Sequence, residues 1–356
     1  MRCSCCRLTF PCRGGSPAIS PLIDEYPEWF ERNSAGQVIG VYTKAFDARS
    51  RSWQTYFTNA MSFLMTELDI DGFRFDAPTY NDFPNWADWA RGRAGSSALA
   101  CVGLFERLRP VLKGIKSDAL LYTEPSGHAL RRSMDLNYNY DEQWLVTAIT
   151  DPASAKPWGV GTARGLACWI RDRDAMLPHG SMTAHHIDSH DTFWWPSWGK
   201  KWRREQFAAD QFRLLTAIFG SLPGPFMMFT GGEDGIEDLL PLLAILKNRP
   251  AWRDGSTTWW SGVDESIFGL TRSLHGQSLS FVANYADSTT RVAIPDCPPR
   301  EQVVLAVGDH PVFEGGVALF APYSAIAYVH GDSYGTGSVR RGTGDGSAEE
   351  STGEER

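Results

Sequence analysis

Ile70-Asp71-Gly72-Phe73-Arg74-Phe75-Asp76-Ala77-Pro78 is the stretch on which the fold turns. It predicts a short strand, closed by Pro78, which has no N–H to give a ladder. Just upstream, residues 51–68 carry Trp53, Phe57, Met61, Leu64 and Met65 at intervals of three and four, the period of an amphipathic helix. The alternation continues outward. Residues 97–116 read as a helix, followed by the apolar run 119–123 that ends at Glu124-Pro125. Residues 134–138 read as a strand and 162–176 as a helix. A strand over 182–187 leads to His190-Asp191. Residues 201–219 form a long predicted helix, 225–230 a buried strand, and 236–248 a closing helix.

Helices alternating with short apolar strands indicate parallel βαβ units. Five such repeats in about 180 residues match the pace of a (β/α)8 barrel. A doubly wound sheet is the rival, but its Gly-rich phosphate turn, G-x-G-x-x-G, is absent. Past Trp252 the rhythm changes to short alternating runs at 267–272, 278–284, 290–294, 303–307 and 325–329, with turns such as His275-Gly276 between them. The expected class is therefore α/β: an incomplete (β/α)8 TIM-type barrel over residues 16–250 with a C-terminal antiparallel β-domain, a β-sandwich, over 251–330. Residues 331–356, nearly free of apolar side chains, read as a disordered tail. Residues 1–15 lack the apolar core of a signal peptide and read as a disordered or artefactual start.

The composition narrows the class. Of 356 residues, 42% are hydrophobic and 21% charged, as in soluble globular proteins. Acidic residues outnumber basic ones 42 to 34, and a net charge of −8 offers no positive field for nucleic acid or an anionic membrane. The longest greasy stretch, 214–229, is cut by Gly220, Pro223, Gly224 and Pro225 and is too short to span a bilayer. Fourteen Trp, 19 Phe and 11 Tyr permit a carbohydrate protein, since flat rings stack on sugar C–H faces as well as packing cores. Seven cysteines, an odd number, fit a reducing compartment, so a cytoplasmic location is expected. Cys101, Cys168 and Cys297 read as buried free thiols. The Cys3, Cys5, Cys6, Cys12 cluster matches no common zinc spacing.

In a parallel barrel the C-terminal strand ends converge on one rim, where active sites lie. Three predicted strands end in acids: Asp76, Glu124 and Asp191. Two carboxyls flanking a glycosidic bond are the minimum set for glycoside hydrolysis, one as nucleophile and one as proton donor. Arg74, two residues before Asp76, points to the same side of its strand and would hold that carboxylate ionised and oriented. His190 could donate to a sugar hydroxyl; taken alone, however, His190 and Asp191 read first as a hydrogen-bonded pair capping a loop. Trp194, Trp195 and Trp198 either wall a sugar cleft or simply pack. His185 and His186 read as core or strand histidines. Asp69-x-Asp71-Gly72 lacks the downstream Glu of a calcium loop. G-x-S-x-G, H-E-x-x-H and P-loop motifs are absent, which removes serine esterase, zincin and NTPase readings.

These residues carry a family resemblance. Asp71 to Ala77 resembles the fourth-strand motif of the α-amylase family, glycoside hydrolase family thirteen. Tyr122-Thr123-Glu124 resembles its fifth-strand acid motif, and Ile187-Asp188-Ser189-His190-Asp191 its seventh, with Ser189 where Asn is usual. Gly224-Pro225 to Gly231-Gly232-Glu233 resembles the eighth strand, and the terminal β-domain the family's C-domain. Carried over position by position, the resemblance implies Asp76 as nucleophile, Glu124 as acid/base and Asp191 as transition-state stabiliser, with Arg74, His190, Tyr80 and Trp194 on the substrate side. It implies an α-glucan or oligosaccharide substrate cleaved or transferred through a covalent glycosyl-enzyme. The family's Asp-x-x-x-Asn-His motif is not found upstream of Asp76, so the chain is expected to be an N-terminally truncated member. No cofactor is expected: calcium occurs in the family, but that usual ligand motif is missing. Tyr80 stands where many members have His. The alternative is a catalytically inactive remnant or a sugar-binding protein of the same family.

Overall fold

The computed structural model describes residues 3–7, 9–11, 21–41, 43–76, 78–88, 94, 97, 99–124, 128–138, 142, 145, 149, 160–190, 202–294 and 298–330. Asp191, Trp194, Cys12, Cys297 and the 331–356 tail lie outside them. The first seven strands in chain order form two sheets. A parallel sheet runs in the order β1 (Cys3–Arg7), β4 (Gly72–Asp76), β5 (Leu120–Thr123), β6 (Leu136–Tyr138) and β7 (Thr183–Ala184). A separate antiparallel pair joins β2 (Thr9–Pro11) to β3 (Thr43–Ala45).

The start of the chain departs from expectation. Cys3–Arg7 is a strand, with Ser4 opposite Phe73 and Arg7 opposite Asp76. Without it, β4 would present a row of unpaired N–H and C=O groups. At the other edge, the strand expected over 225–230 is reduced to a parallel bridge between His185 and Phe226. His185 N–H donates to the Pro225 carbonyl at 2.9 Å, and Met227 N–H to the His185 carbonyl at 2.7 Å. Pro223 and Pro225 have no N–H to extend that pairing.

Period-two alternation sorts β4. Phe73 and Phe75 are fully buried among Trp53, Phe57, Met61 and Met65 of the helix Arg51–Glu67 and Leu104, Phe105, Leu108 and Leu112 of the helix Ala100–Ile115. Arg74 and Asp76 therefore take the other face of the sheet. Gly72 is required where β4 meets β5, because a Cβ there would overlap the Leu120 carbonyl. Ser50 caps the helix Arg51–Glu67, its hydroxyl accepting from Trp53 N–H at 3.4 Å, and Thr162 caps Ala163–Met176 through Gly165 N–H at 3.1 Å.

The helix expected over 201–219 is two, Arg203–Gln206 and Ala209–Ser221. Ala208 is extended between them, and its N–H donates to the Gln211 side chain at 3.2 Å, starting the second helix afresh. Cys101 is buried as expected, but Cys168 lies on the exposed side of its helix. Among the described residues no helix is long and apolar enough to cross a membrane.

The C-terminal region adds β8 (Ser256–Trp259), β9 (Ile267–Leu274), β10 (Gln277–Asn284), β11 (Thr290–Ala293), β12 (Val303–Val307), β13 (Val312–Glu314), β14 (Val317–Phe320) and β15 (Ser324–Val329). They form a five-stranded antiparallel sheet, β12-β15-β10-β9-β8, and a three-stranded one, β11-β14-β13. His275 and Gly276 both have positive φ, 48° and 80°, the backbone of a two-residue hairpin between β9 and β10. One face of the larger sheet packs Ile267, Val282, Ile326 and Tyr328 against Val292, Ala318 and Phe320 of the smaller. Its other face, with Phe268, Phe281, Leu305 and Ala327, shares a core with the helices Ala209–Ser221, Leu239–Lys247 and Pro250–Asp254.

Candidate active site

The strand that buries two phenylalanines on its helix side leaves a guanidinium on its inner side. Arg74 is 6% exposed, and its Nη1 donates to Asp76 Oδ1 at 2.9 Å. Its Nη2 contacts Glu124 Oε2. Glu124 follows β5 directly, and its N–H donates to the Phe75 carbonyl at 2.9 Å, so the β4–β5 ladder runs one residue further. That register sets the two carboxyls side by side at the C-terminal ends of adjacent parallel strands, with Arg74 bound to both. The Glu124 side chain is 6% exposed and that of Asp76 15%, so the pair opens to solvent mainly on the Asp76 side.

His190 closes the group. One ring nitrogen of His190 and one oxygen from each of Asp76 and Glu124 lie within 4.8 Å of one another. Three donor groups at that spacing could share an ion. The positive charge of Arg74 already sits on both carboxylates, however, and a second cation there would face it at close range. The set thus fits a positively braced carboxylate pair better than a resident metal site. Chemically it offers two acids oriented by one guanidinium, and an exposed imidazole that can hydrogen-bond a hydroxyl.

Of the residues singled out in the sequence, Arg74, Asp76, Glu124 and His190 come together. Tyr80 lies in the short turn Pro78–Asn81 that follows β4, and its side chain is outside the described part, as are Asp191 and Trp194. His185 and His186 are buried, as expected of core histidines, at 2% and 0% exposure.

Sequence reasoning missed what holds those histidines. Glu142 is fully buried. Its Oε1 accepts from Arg173 Nη1 at 2.8 Å and lies 2.6 Å from His185 Nδ1, while its Oε2 accepts from His186 N–H at 3.1 Å. Burial alone would raise the Glu142 pKa, but the charges of His185, Arg173 and His186 outweigh it and hold it down at about 2. Nothing in local spacing marks Glu142, because every partner is 31 or more residues away. Beyond His186, Asp188 is buried with Arg204 Nη1 3.9 Å from its Oδ2. Arg204 in turn lies over the Trp202 ring at 5.5 Å, and Trp202 packs on Phe229 at 5.0 Å.

No family model and no curated protein matches the sequence. Solved structures do share its fold. The α-amylase from Lactobacillus plantarum matches with a TM-score of 0.68 at 17% identity, over 93% of this chain and 78% of that one. The noncanonic maltogenic α-amylase AmyB from Thermotoga neapolitana matches with a TM-score of 0.66 at 15% identity, over 92% and 77%. The debranching enzyme of Nostoc punctiforme matches with a TM-score of 0.60 at 14% identity, over 86% and 71%. The chain has the fold of the α-amylases.

Proposed function

We propose that this chain is an α-amylase family member, its parallel sheet an incomplete barrel, that acts on α-glucosidic bonds of glucans or oligosaccharides with retention. The observation that carries the proposal is the meeting of Asp76 and Glu124 on one guanidinium at the ends of adjacent parallel strands. Neighbours named as amylases and a debranching enzyme support an α-glucan substrate class. An oxygen of each carboxyl lies within 4.8 Å of the other, which favours retention, since an inverting pair leaves about 6.5–9.5 Å for a water.

In this reading Asp76, oriented by Arg74, attacks the anomeric carbon. Glu124, more enclosed, protonates the leaving oxygen, and the glycosyl-enzyme ester forms as the C–O bond breaks. Water or a sugar hydroxyl then attacks the same carbon while Glu124 takes its proton, and Asp76 leaves as a carboxylate. His190 hydrogen-bonds the ring hydroxyls during both steps, and Asp191 stabilises the flattened, oxocarbenium-like sugar. Tyr80 and Trp194 are assigned to substrate binding.

The full chain incubated with a panel of maltooligosaccharides, starch and sucrose, with products read by chromatography, tests this. Sugar release is expected, and Asp76→Asn should lower it on the order of 10⁴-fold or more, the scale of losing one member of a catalytic group. Retained turnover in Asp76→Asn would remove the nucleophile assignment. A folded wild-type chain inert toward the whole panel would leave a sugar-binding or inactive relative instead.

A further inference from the structure

Glu142 is a buried charge that the proposed reaction does not use. Taking a carboxylate out of water is costly unless its charge is well paired, and a well-packed apolar residue is often as stable. Its partners show what the charge accomplishes. They come from two separate places: Arg173 from the helix Ala163–Met176, and His185 with the His186 backbone from the segment that leaves β7. His185 carries the connection further, since its Nε2 lies 2.9 Å from the Pro223 carbonyl, ahead of the segment that bridges to it.

The need for such a grip follows from how little ladder there is. β7 is two residues long, and after the single bridge at His185 residues 186–190 form no strand. That stretch nonetheless has to deliver His190 to within 4.8 Å of Asp76 and Glu124. Side-chain bonds from Glu142 add placement beyond that short ladder. We infer that Glu142 is a positioning residue: by holding His185 and the His186 backbone it fixes the 185–190 segment, and so sets His190 against the carboxylate pair.

The catalytic consequence rests on the proposed glucan chemistry, whereas the grip itself does not, and two measurements separate them. Hydrogen exchange followed by mass spectrometry on the full chain reads the grip. Glu142→Gln should speed exchange over 185–190 by about tenfold and leave residues 72–76 unchanged. Kinetics on maltooligosaccharides read the consequence. Glu142→Gln should lower kcat about tenfold with KM moved less than about twofold, and the same change made in His190→Ala should cost less than about twofold. A merely structural role would give equal losses in both backgrounds. If Glu142→Gln does not fold, His185→Gln, which leaves Arg173 on Glu142, is read in the same way. Unchanged exchange over 185–190, or full additivity with His190→Ala, overturns the inference. A wild-type chain without turnover whose exchange still rises on substitution defeats the functional reading and sustains the grip.

Discussion

Arg74 shows how one side chain can organise a site. Its two terminal nitrogens reach acids from two strands, so the geometry of Asp76 and Glu124 follows from a single rigid fork. Burial by itself acts on another acid in the chain. Glu31 is 1% exposed, and burial, followed by the nearby charges of Asp47 and Asp82, pushes its pKa up to about 9. At neutral pH the folded chain therefore keeps a proton that the unfolded chain, near 4.5, has released. Stability from this residue is whole below about pH 4.5 and declines as pH climbs toward 9, by at most ~1.4 kcal/mol per pH unit. Glu31→Gln cannot titrate. Urea unfolding should find it more stable than wild type at pH 8, with the difference closing at pH 5; parallel pH dependences of the two proteins would contradict this. The Arg-x-Asp motif and the strand-end Glu124 were legible because strand periodicity and strand termini are local properties. Glu31 and Glu142 were not, since what makes each unusual is burial by distant segments.

At the scale of elements, the β4–β5 junction determines whether the two acids meet at all. Gly72 lies against Leu120, and a methyl group there would strike the Leu120 carbonyl, a backbone atom that cannot swing aside. Gly72→Ala should cost about 1–3 kcal/mol by overpacking. It should also cost turnover far out of proportion, because a shift near 1 Å between reacting groups can lose about 10²-fold. Gly103, inside the helix Ala100–Ile115 with open space at its Cβ, is the matched control: Gly103→Ala should stabilise by roughly 0.5–1 kcal/mol and leave activity alone. Thermal melts and initial rates on the two variants check both, and equal effects would deny the junction its special role. Helices such as Arg51–Glu67 could be read almost to their ends, since a three-and-four repeat survives any tertiary setting. The segment 225–230 could not. An apolar run bounded by Pro and Gly looks the same whether it makes a full ladder or the single bridge at Phe226.

Over the whole molecule, two sequence rhythms, one alternating helix with strand and one purely β, suggested two units. Their cores are not separate. Leu214, Leu215 and Ile218 of the helix Ala209–Ser221 and Trp252 of Pro250–Asp254 belong to one buried cluster with Phe268, Phe281, Leu305 and Ala327 of the larger antiparallel sheet. Trp252 also donates its indole N–H to the Ser221 carbonyl at 2.8 Å, tying two helices beneath that sheet. Change of rhythm marks where connectivity changes; it carries no information about which faces are dry, and that part of the architecture emerges only from packing. The shared core has a measurable consequence. Phe281 is fully buried in it, so Phe281→Ala should cost about 3–5 kcal/mol. Because the cluster serves the helical layer as much as the sheet, that loss should lower one common transition, seen alike by calorimetry and by tryptophan fluorescence. If the helical layer instead melted at its wild-type temperature while the β-domain melted early, the two would be independent units that merely touch. With one transition, the β-domain is part of what keeps the helix Ala163–Met176 in place, and through Arg173 and Glu142 the segment that carries His190.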